Sequence, residues 1–571
     1  MAGQAPVTSV VRTADARRSR PPGGNWLSRL DSRFEEHAAP IAAAGIALGL
    51  IWRLWLAHAT FFNTDEAWHF SLANRGTAGL AYKASLTISH PPLLILLLHF
   101  WRALGTSNLM LRLPSVIAGA AFCWIFYRWL GMVAGRAAAW SGLMLATFLW
   151  PMISTSAEVR QNPFLLVLAA GATYFLECAL AEQSLPKMLA SAACLCLAML
   201  SHYSAFFIAA ALGLYAIARM WQQRSSRSLI ASWAAGQTAG VLLAGFLYKT
   251  HLGRLSSLLD ASLLPQQYLF SSYFHRGKDH LVPFLYRGTF GVFRFIFGQT
   301  QIGQVAALLF VAGVVMLVVG RSGVRSRSHA LALLLVLPFA LNWIAAAAGM
   351  YPYGRMRQCM FLAIFALAGV AICVARIVKE SPTLAIAVTL GIVILCLGFG
   401  TRQDRDAIPL ADQRHFHMDQ AMQFIRSHVS GQDVIFTDKA TSYQLAHYLC
   451  RQEPVVLEIS ADSMEMFHCE GLRVVSTGPA VGALSAHSLA AGWQETTKDL
   501  NASGRIWVVQ GGWASGLGEA LRDASAEFSG ITPHAFGRYF EIFEMPPVPG
   551  GPSPALSHVR ISVECPATSS A

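Results

Sequence analysis

Residues 39–69 read APIAAAGIALGLIWRLWLAHATFFNTDEAWH, an apolar helix-forming run that ends in two adjacent acids, Asp65 and Glu66. A bilayer core about 30 Å thick asks for about 20 consecutive apolar residues in helix, and 39–60 meets that length. The run is one of many. Hydrophobic residues make up 54% of the 571 and charged residues only 13%, against roughly a quarter in a typical soluble chain, so a fully water-facing surface cannot be covered. The expectation is a polytopic α-helical membrane protein.

Further spans are expected near 110–130, 138–155, 163–181, 188–202, 204–220, 229–248, 302–320, 330–349, 356–376 and 383–400, which makes about eleven helices of bilayer length. Lys and Arg resist translocation, so alternate loops should hold them. They do, at Arg128 and Arg136, Lys187, Arg219 to Arg227, Arg321 to Arg327, and Arg376 with Lys379. This asymmetry accounts for the net charge of +12 without a nucleic-acid partner. The apolar stretch Pro91–Leu104 has only about 14 residues and is expected to lie along the outer face, because counting it as a span inverts every loop behind it.

Residues 1–38 are basic and rich in breakers (Arg17, Arg18, Arg20, then Pro21-Pro22-Gly23-Gly24) and read as a disordered cytoplasmic tail with no removable signal peptide. Residues 39–400 form the membrane domain. An odd span count leaves 401–571 outside. There, helical patterns at Asp412–Val429, Tyr443–Cys450 and Gly516–Ala524 alternate with strand patterns at Asp433–Thr437, Val455–Ile459, Arg505–Val509 and Tyr539–Phe543. A small α/β domain is expected. Gly511-Gly512 and Gly516 do not form a dinucleotide fingerprint. No cysteine spacing suggests zinc or haem, although Cys450 and Cys469 could pair in an oxidising compartment.

The outer loops hold more cations than translocation favours: Arg75, Lys83, Arg102, Arg160, Lys249, Arg254, Arg276, Lys278, Arg287, Arg294, Arg355 and Arg357. Arginine binds phosphate by paired hydrogen bonds, so an anionic ligand at the outer surface is one reason and lipid headgroups are another. Rare carboxylates accompany them, at Asp65, Glu66, Glu158, Asp260 and Asp279. The plain reading of Asp65-Glu66 is the first turn of an interfacial helix capped by Asn63 or Thr64. Four more motifs fall on the same side: Ser89-His90-Pro91-Pro92-Leu93, Arg112-Leu113-Pro114-Ser115, Glu158-Val159-Arg160 and Ser201-His202-Tyr203. Tyr351-Pro352-Tyr353-Gly354-Arg355-Met356-Arg357 is the last. Loops converging on one face of a bundle can form a single site.

In this order and on one side, the Asp-Glu, His-Pro-Pro-Leu and Arg-Leu-Pro-Ser motifs resemble the GT-C fold glycosyltransferases. The nearest group is glycosyltransferase family 39, with the protein O-mannosyltransferases and the bacterial lipid A aminoarabinose transferases as relatives. The resemblance covers roughly residues 40–400. Three steps depart from it: Leu94, Ile95 and Leu96 stand where a Lys is usual, no Pro-Tyr follows Arg160, and no Arg-Tyr occurs near Arg355 and Arg357. These departures bear on the acceptor more than on the reaction.

The resemblance implies transfer of a sugar from a polyprenyl-phosphate donor to a glycan, lipid or protein acceptor, with inversion. An attacking hydroxyl must lose a proton, which makes Asp65 the candidate base, with Glu66 orienting the acceptor or sharing its proton. A leaving phosphate needs positive charge, and Arg160, Arg355 and Arg357 are the candidates, with Lys249, Arg254, Arg287 and Arg294 in reserve. His90 is expected to orient the carboxylates or touch the sugar, or else only to end an extended stretch. His202 and Tyr203 are expected at the donor phosphate or as interfacial anchors. Glu158 and Arg112 are supporting residues, and the ring-rich Tyr268, Phe270, Tyr273, Phe274 and His275 suit a lipid tail, a sugar or an aromatic belt. A divalent metal around Asp65, Glu66 and His90 fits the chemistry without being required. The rival functions are a transporter or flippase of a lipid-linked substrate and a non-catalytic scaffold. A transporter should hold several ionisable groups deep in its spans, and here Glu177 is nearly alone.

Overall fold

A computed structural model describes residues 26–255, 269–320, 325–403, 411–450, 458–459, 465–476, 504–511, 521, 530–538 and 540–545. The expectations for residues 1–25, Asp260, Tyr268, Arg321, 455–457, Gly512 and the helix from Gly516 lie outside the described residues.

Helix α1 (Trp26–Glu36) is followed by the first span, α2 (Ala38–Ala59), and by three short helices, α3 (Thr64–Ala73), α4 (Ala78–Ser85) and α5 (Leu93–Trp101). Then come α6 (Asn108–Ala134), α7 (Arg136–Phe148), α8 (Trp150–Ser156), α9 (Asn162–Glu182), α10 (Leu185–Ser201), α11 (Ala205–Gln223) and α12 (Arg227–Leu247). The bundle closes with α13 (Leu281–Phe297), α14 (Thr300–Val319), α15 (Arg325–Ala347), α16 (Ala363–Ile377) and α17 (Pro382–Gln403). Among the described residues nine helical segments are long and apolar enough to cross a bilayer, and α7 with α8 makes a tenth bent by 55°. Adding α10, at 17 residues, restores the expected eleven.

The bend has a chemical cause. Pro151, the second residue of α8, has no N–H to give to Thr147, and the α7 ladder stops there. Arg53, buried in α2, supplies the missing donors: its Nη1 reaches Thr147 O at 3.2 Å and its Nη2 reaches Ala146 O at 3.1 Å. The remaining N–H groups go to Ser156 Oγ at 2.8 Å, Gly49 O at 3.1 Å and Cys123 Sγ at 3.8 Å. This close approach requires glycine, since a Cβ on Gly119 would meet Ser156 Cβ at 2.5 Å and one on Gly49 would meet Thr147 Cγ2 at 2.4 Å.

A similar substitution fixes the interfacial helix. Pro114 inside α6 leaves Met110 O without its helical partner, and Trp101 Nε1 donates to it at 2.8 Å. Nine residues of α5 extend only about 14 Å, too short to cross a bilayer. Glu177, the deep acid of α9, is fully buried against Tyr215 and Arg219 of α11.

The expected disordered tail needs correction over its last third. Leu27, Leu30 and Phe34 share one face of α1, Phe34 packs edge-on to Trp140, and Asp31 accepts from Ser381 Oγ at 2.9 Å and Thr383 N at 3.0 Å. Helix spacing of apolar residues outweighed the breakers that precede it.

Beyond the bundle, α18 (His415–His428) and α19 (Lys439–Leu449) pack on a seven-stranded sheet. Its strands are β1 (Val434–Thr437), β2 (Glu458–Ile459), β3 (Glu465–Cys469), β4 (Leu472–Ser476), β5 (Ile506–Gly511), β6 (Thr532–Phe536) and β7 (Phe540–Glu544), in the order β2-β3-β4-β1-β5-β7-β6. β1 runs parallel to both neighbours and the outer pairs are antiparallel. The β3–β4 hairpin, not anticipated from sequence, turns through Glu470 and Gly471, both at positive φ. Cys450, at the end of α19, is disulfide-bonded to Cys469 of β3.

Replacing Arg53 by Met would leave Thr147 O without its side-chain donor and Ala146 O with only the weak Cys123 thiol at 3.4 Å. The expected loss is about 2–5 kcal/mol, read as a lower unfolding midpoint in detergent, and Arg53→Lys should recover part of it.

Candidate active site

Asn63 and Glu66 start α3 with a reciprocal cap: Asn63 Oδ1 accepts from Glu66 N at 3.1 Å, and Glu66 Oε2 accepts from Asn63 N at 3.0 Å. Glu66 is fully buried and spends its other capacity on Arg112, which binds it through Nε at 2.7 Å and Nη2 at 2.5 Å. Val159 N donates to Glu66 Oε1 at 2.8 Å. Arg112 also caps the end of α2, reaching Ala57 O and Phe61 O at 2.7 Å and Thr60 O at 2.9 Å. One ion pair thus ties α2, α3, α6 and the Glu158–Arg160 loop together. The role expected of Glu66, orienting the acceptor or sharing its proton, is at odds with this geometry, in which the side chain is buried and both oxygens are occupied.

Asp65, one residue earlier, projects to the opposite side and is only partly buried. Arg160 contacts both Asp65 and Glu158, the latter at 3.0 Å. Arg357 lies 3.3 Å from Asp65 and 3.8 Å from Glu158, with its side chain 46% exposed. Two acids and two guanidinium groups from three loops therefore alternate around one point. Burial pushes the Asp65 carboxyl up, but Arg160 and Arg357 outweigh it and hold it below its ordinary value. Glu158 is held low in the same way, by Arg357 and Arg160 against burial. Arg160 is pushed down by burial and raised on balance by Asp65 and Glu158.

Backbone contacts fix the loops. Ser115 Oγ receives Arg160 N at 3.3 Å, Asn162 Nδ2 donates to Arg357 O at 3.0 Å, and Ser201 Oγ donates to Gln161 O at 3.1 Å. The outer domain contributes too. Phe62 N donates to Tyr448 Oη at 2.7 Å, Gln444 Nε2 donates to Phe62 O at 3.3 Å, and the His447 ring stacks on Phe62 at 4.3 Å. Helix α19 therefore holds the loop that leads into Asp65.

Other expected residues are placed differently. Arg355 is half-buried. Lys249 and Arg254 follow α12, and Arg287 and Arg294 lie on α13, on elements other than those that carry Asp65, Glu158, Arg160 and Arg357. Among the described residues His90 has ring contacts and no carboxylate partner. Its ring lies between those of His69 and His202, at 6.1 and 5.6 Å. Tyr203 hydrogen-bonds His251, whose Nε2 donates to Ile88 O at 2.7 Å. Asp65, Glu66 and His90 do not converge on a common point, and among the described residues no group of three His, Cys, Asp or Glu is arranged to hold an ion. His69 escaped the sequence reading, although its i, i+4 spacing from Asp65 explains its contact with the Asp65 carbonyl. His251, Gln444 and Tyr448 carried no local signal.

Removing Arg112 as Met would leave Glu66 buried and unpaired, with an expected loss of about 3–5 kcal/mol. Glu66→Gln combined with Arg112→Met should recover part of it, as measured by thermal unfolding in detergent. Acid sensitivity follows from the histidines. Burial lowers His69 and His202 to about 4 each. Their contribution is complete above the unfolded value near 6.5 and falls as pH drops from about 6.5 to about 4, because the unfolded chain takes up protons first. Asp65 and Glu158, held low, begin to lose theirs only as pH falls to their unfolded values of 3.8 and 4.5, at the acid end of that window and below. Denaturant midpoints across pH 4–7 should show the slope, and His69→Phe with His202→Phe should flatten it.

Residues 89–248 match the family model described as dolichyl-phosphate-mannose-protein mannosyltransferase. The matched segment carries His90, Arg112, Glu158, Arg160 and His202. Among solved structures, ArnT from Cupriavidus metallidurans bound to undecaprenyl phosphate superposes with a TM-score of 0.52 at 12% identity, over 89% of this chain and 98% of that one. The oligosaccharyltransferase of Archaeoglobus fulgidus tethered to an acceptor peptide gives 0.48 at 10% identity, over 89% and 74%. No curated protein sequence matches the chain. The chain is therefore a multi-pass membrane protein that shares the fold of ArnT along most of its length, and its residues 89–248 are similar to the mannosyltransferase family model.

Proposed function

We propose that the chain moves a sugar from a polyprenyl-phosphate carrier onto a hydroxyl of a glycan, lipid or protein, with inversion, at the outer face of the cell's inner membrane. The observation that carries this reading is the meeting of Asp65 with Arg160, Arg357 and Glu158 at one rim of the bundle. Binding of undecaprenyl phosphate by ArnT supports a carrier of that class here. The loop-charge pattern supports the outer face as the side that bears the site.

The geometry suggests how charge moves. Arg160 is buried beneath the carboxylates, whereas Arg357 is exposed and makes the longer contacts. Arg357 is therefore the group that turns to a donor phosphate. Its departure removes one of the charges that depress Asp65 and makes the carboxylate a better base. The acceptor oxygen then attacks the anomeric carbon opposite the phosphate, its proton passes to Asp65, and the carbon–oxygen bond to phosphate breaks. The leaving phosphate becomes a dianion, and Arg357 balances the charge it gains. Glu158 keeps Arg160 in place throughout.

Asp65→Asn in membranes supplied with undecaprenyl-phosphate sugars should lower transfer by about 10²–10⁴-fold without loss of folded protein. Arg357→Ala should weaken donor use as well as turnover. Transfer at the wild-type rate by the Asn variant would remove the base, and with it the proposed reaction.

A further inference from the structure

Three imidazoles from three separate elements stand in a row beside the acid cluster. His69 comes from α3, His90 from the loop before α5, and His202 from the end of α10. Neighbouring ring planes are inclined by only 25° and 31°. The backbone sets which ring nitrogens carry protons. His69 Nδ1 lies 2.5 Å from the Asp65 carbonyl, which only accepts, so this nitrogen donates and Nε2 keeps its lone pair. That Nε2 is buried and has no hydrogen-bond partner among the described residues. His202 Nδ1 accepts from Ser204 N at 3.2 Å, so its proton sits on Nε2. Behind the row, His251 bridges Tyr203 and Ile88 and locks the His90 and His202 loops together.

Buried polar atoms are normally paired, so an orphaned acceptor in a built site marks the place of a missing donor. A phosphate at this position would offer His69 Nε2 only acceptors. A sugar hydroxyl donates and accepts, and it matches a wall that has one acceptor and one donor. Burial also keeps the row uncharged near neutral pH, with His90 lowered furthest by burial and by its imidazole neighbours. An uncharged row is a poor phosphate clamp. The Arg357 pair on Asp65 lies one helical turn from His69, so a sugar whose phosphate is held by Arg357 would set its ring against the row.

Resting on the polyprenyl-phosphate reading above, we infer that His69, His90 and His202 form the wall that recognises the hydroxyls of the donor sugar, with His69 Nε2 accepting and His202 Nε2 donating. This selects the sugar over the carboxylates for His90, moves His202 from the phosphate to the sugar, and adds His69. It makes the row a determinant of which sugar is used.

The test measures binding by the full-length protein in nanodiscs. The probes are bare undecaprenyl phosphate and undecaprenyl phosphate carrying mannose, glucose, galactose or arabinose. The wild type should bind at least one sugar lipid about tenfold tighter than the bare lipid. His69→Phe and His202→Phe keep a ring and lose the nitrogens. Each should erase most of that tenfold preference while leaving affinity for the bare lipid within about twofold, because one hydrogen bond in a closed site is worth about that ratio. His69→Gln, which restores an acceptor, should regain part of it and guards against a folding defect. Arg357→Ala should weaken all the lipids alike. Equal weakening of bare and sugar-bearing lipid by the His variants would place these residues at the phosphate and overturn the inference, as would a sugar preference that survives in them. Failure of the wild type to bind any of the lipids would overturn the carrier reading itself, and the sugar wall with it.

Discussion

The site depends on the Glu66–Arg112 pair. Both side chains are buried, and isolated burial of either charge would be costly. Here each is surrounded by partners: two backbone N–H groups on the carboxylate, and the last carbonyls of α2 on the guanidinium. The pair satisfies the end of one span, the start of another, the first turn of α3 and the loop after α8. Its removal would release several elements at once. Asp65 takes its direction from this arrangement, because the fixed inward course of Glu66 leaves its neighbour facing Arg160 and Arg357.

Donors displaced by proline recur in this bundle. Pro151 and Pro114 each remove one N–H from a span, and a side chain from another element replaces it, Arg53 in the first case and Trp101 in the second. In a medium without water these replacements are obligatory rather than ornamental. They also couple elements that are distant in sequence. The bend between α7 and α8 carries the chain to Glu158 and Arg160 at the rim, so Arg53 supports the site from within the membrane. The α19 contacts on Phe62 do the same from outside, and the Cys450–Cys469 disulfide anchors the end of that helix to the sheet.

Much of the fold was legible because hydropathy and loop charge are local properties. The spans and the short α5 follow from length and composition alone, as does the alternation of helix and strand around β1. The β3–β4 hairpin was not legible, since Glu470-Gly471 lacks the usual asparagine or aspartate signal and both strands are short. The start of α1 was masked by the basic, proline-rich residues that precede it. At the site, the motifs were visible but their surroundings were not. Glu66 looked like a partner in catalysis and is buried in an ion pair with Arg112, whereas His69, in plain sight beside the acids, contacts the Asp65 carbonyl.

By itself the sequence determined that this chain crosses a bilayer many times, that its acids and arginines gather at loop ends on one side, and that an α/β domain follows. These conclusions need only composition, period and charge, which act residue by residue. Tertiary structure alone decided which of two adjacent carboxylates faces inward, which arginines meet Asp65, and that three histidines from distant segments stand in one row. Successive residues on a helix differ by about 100° in direction, and only the packing of its neighbours determines which of them is buried.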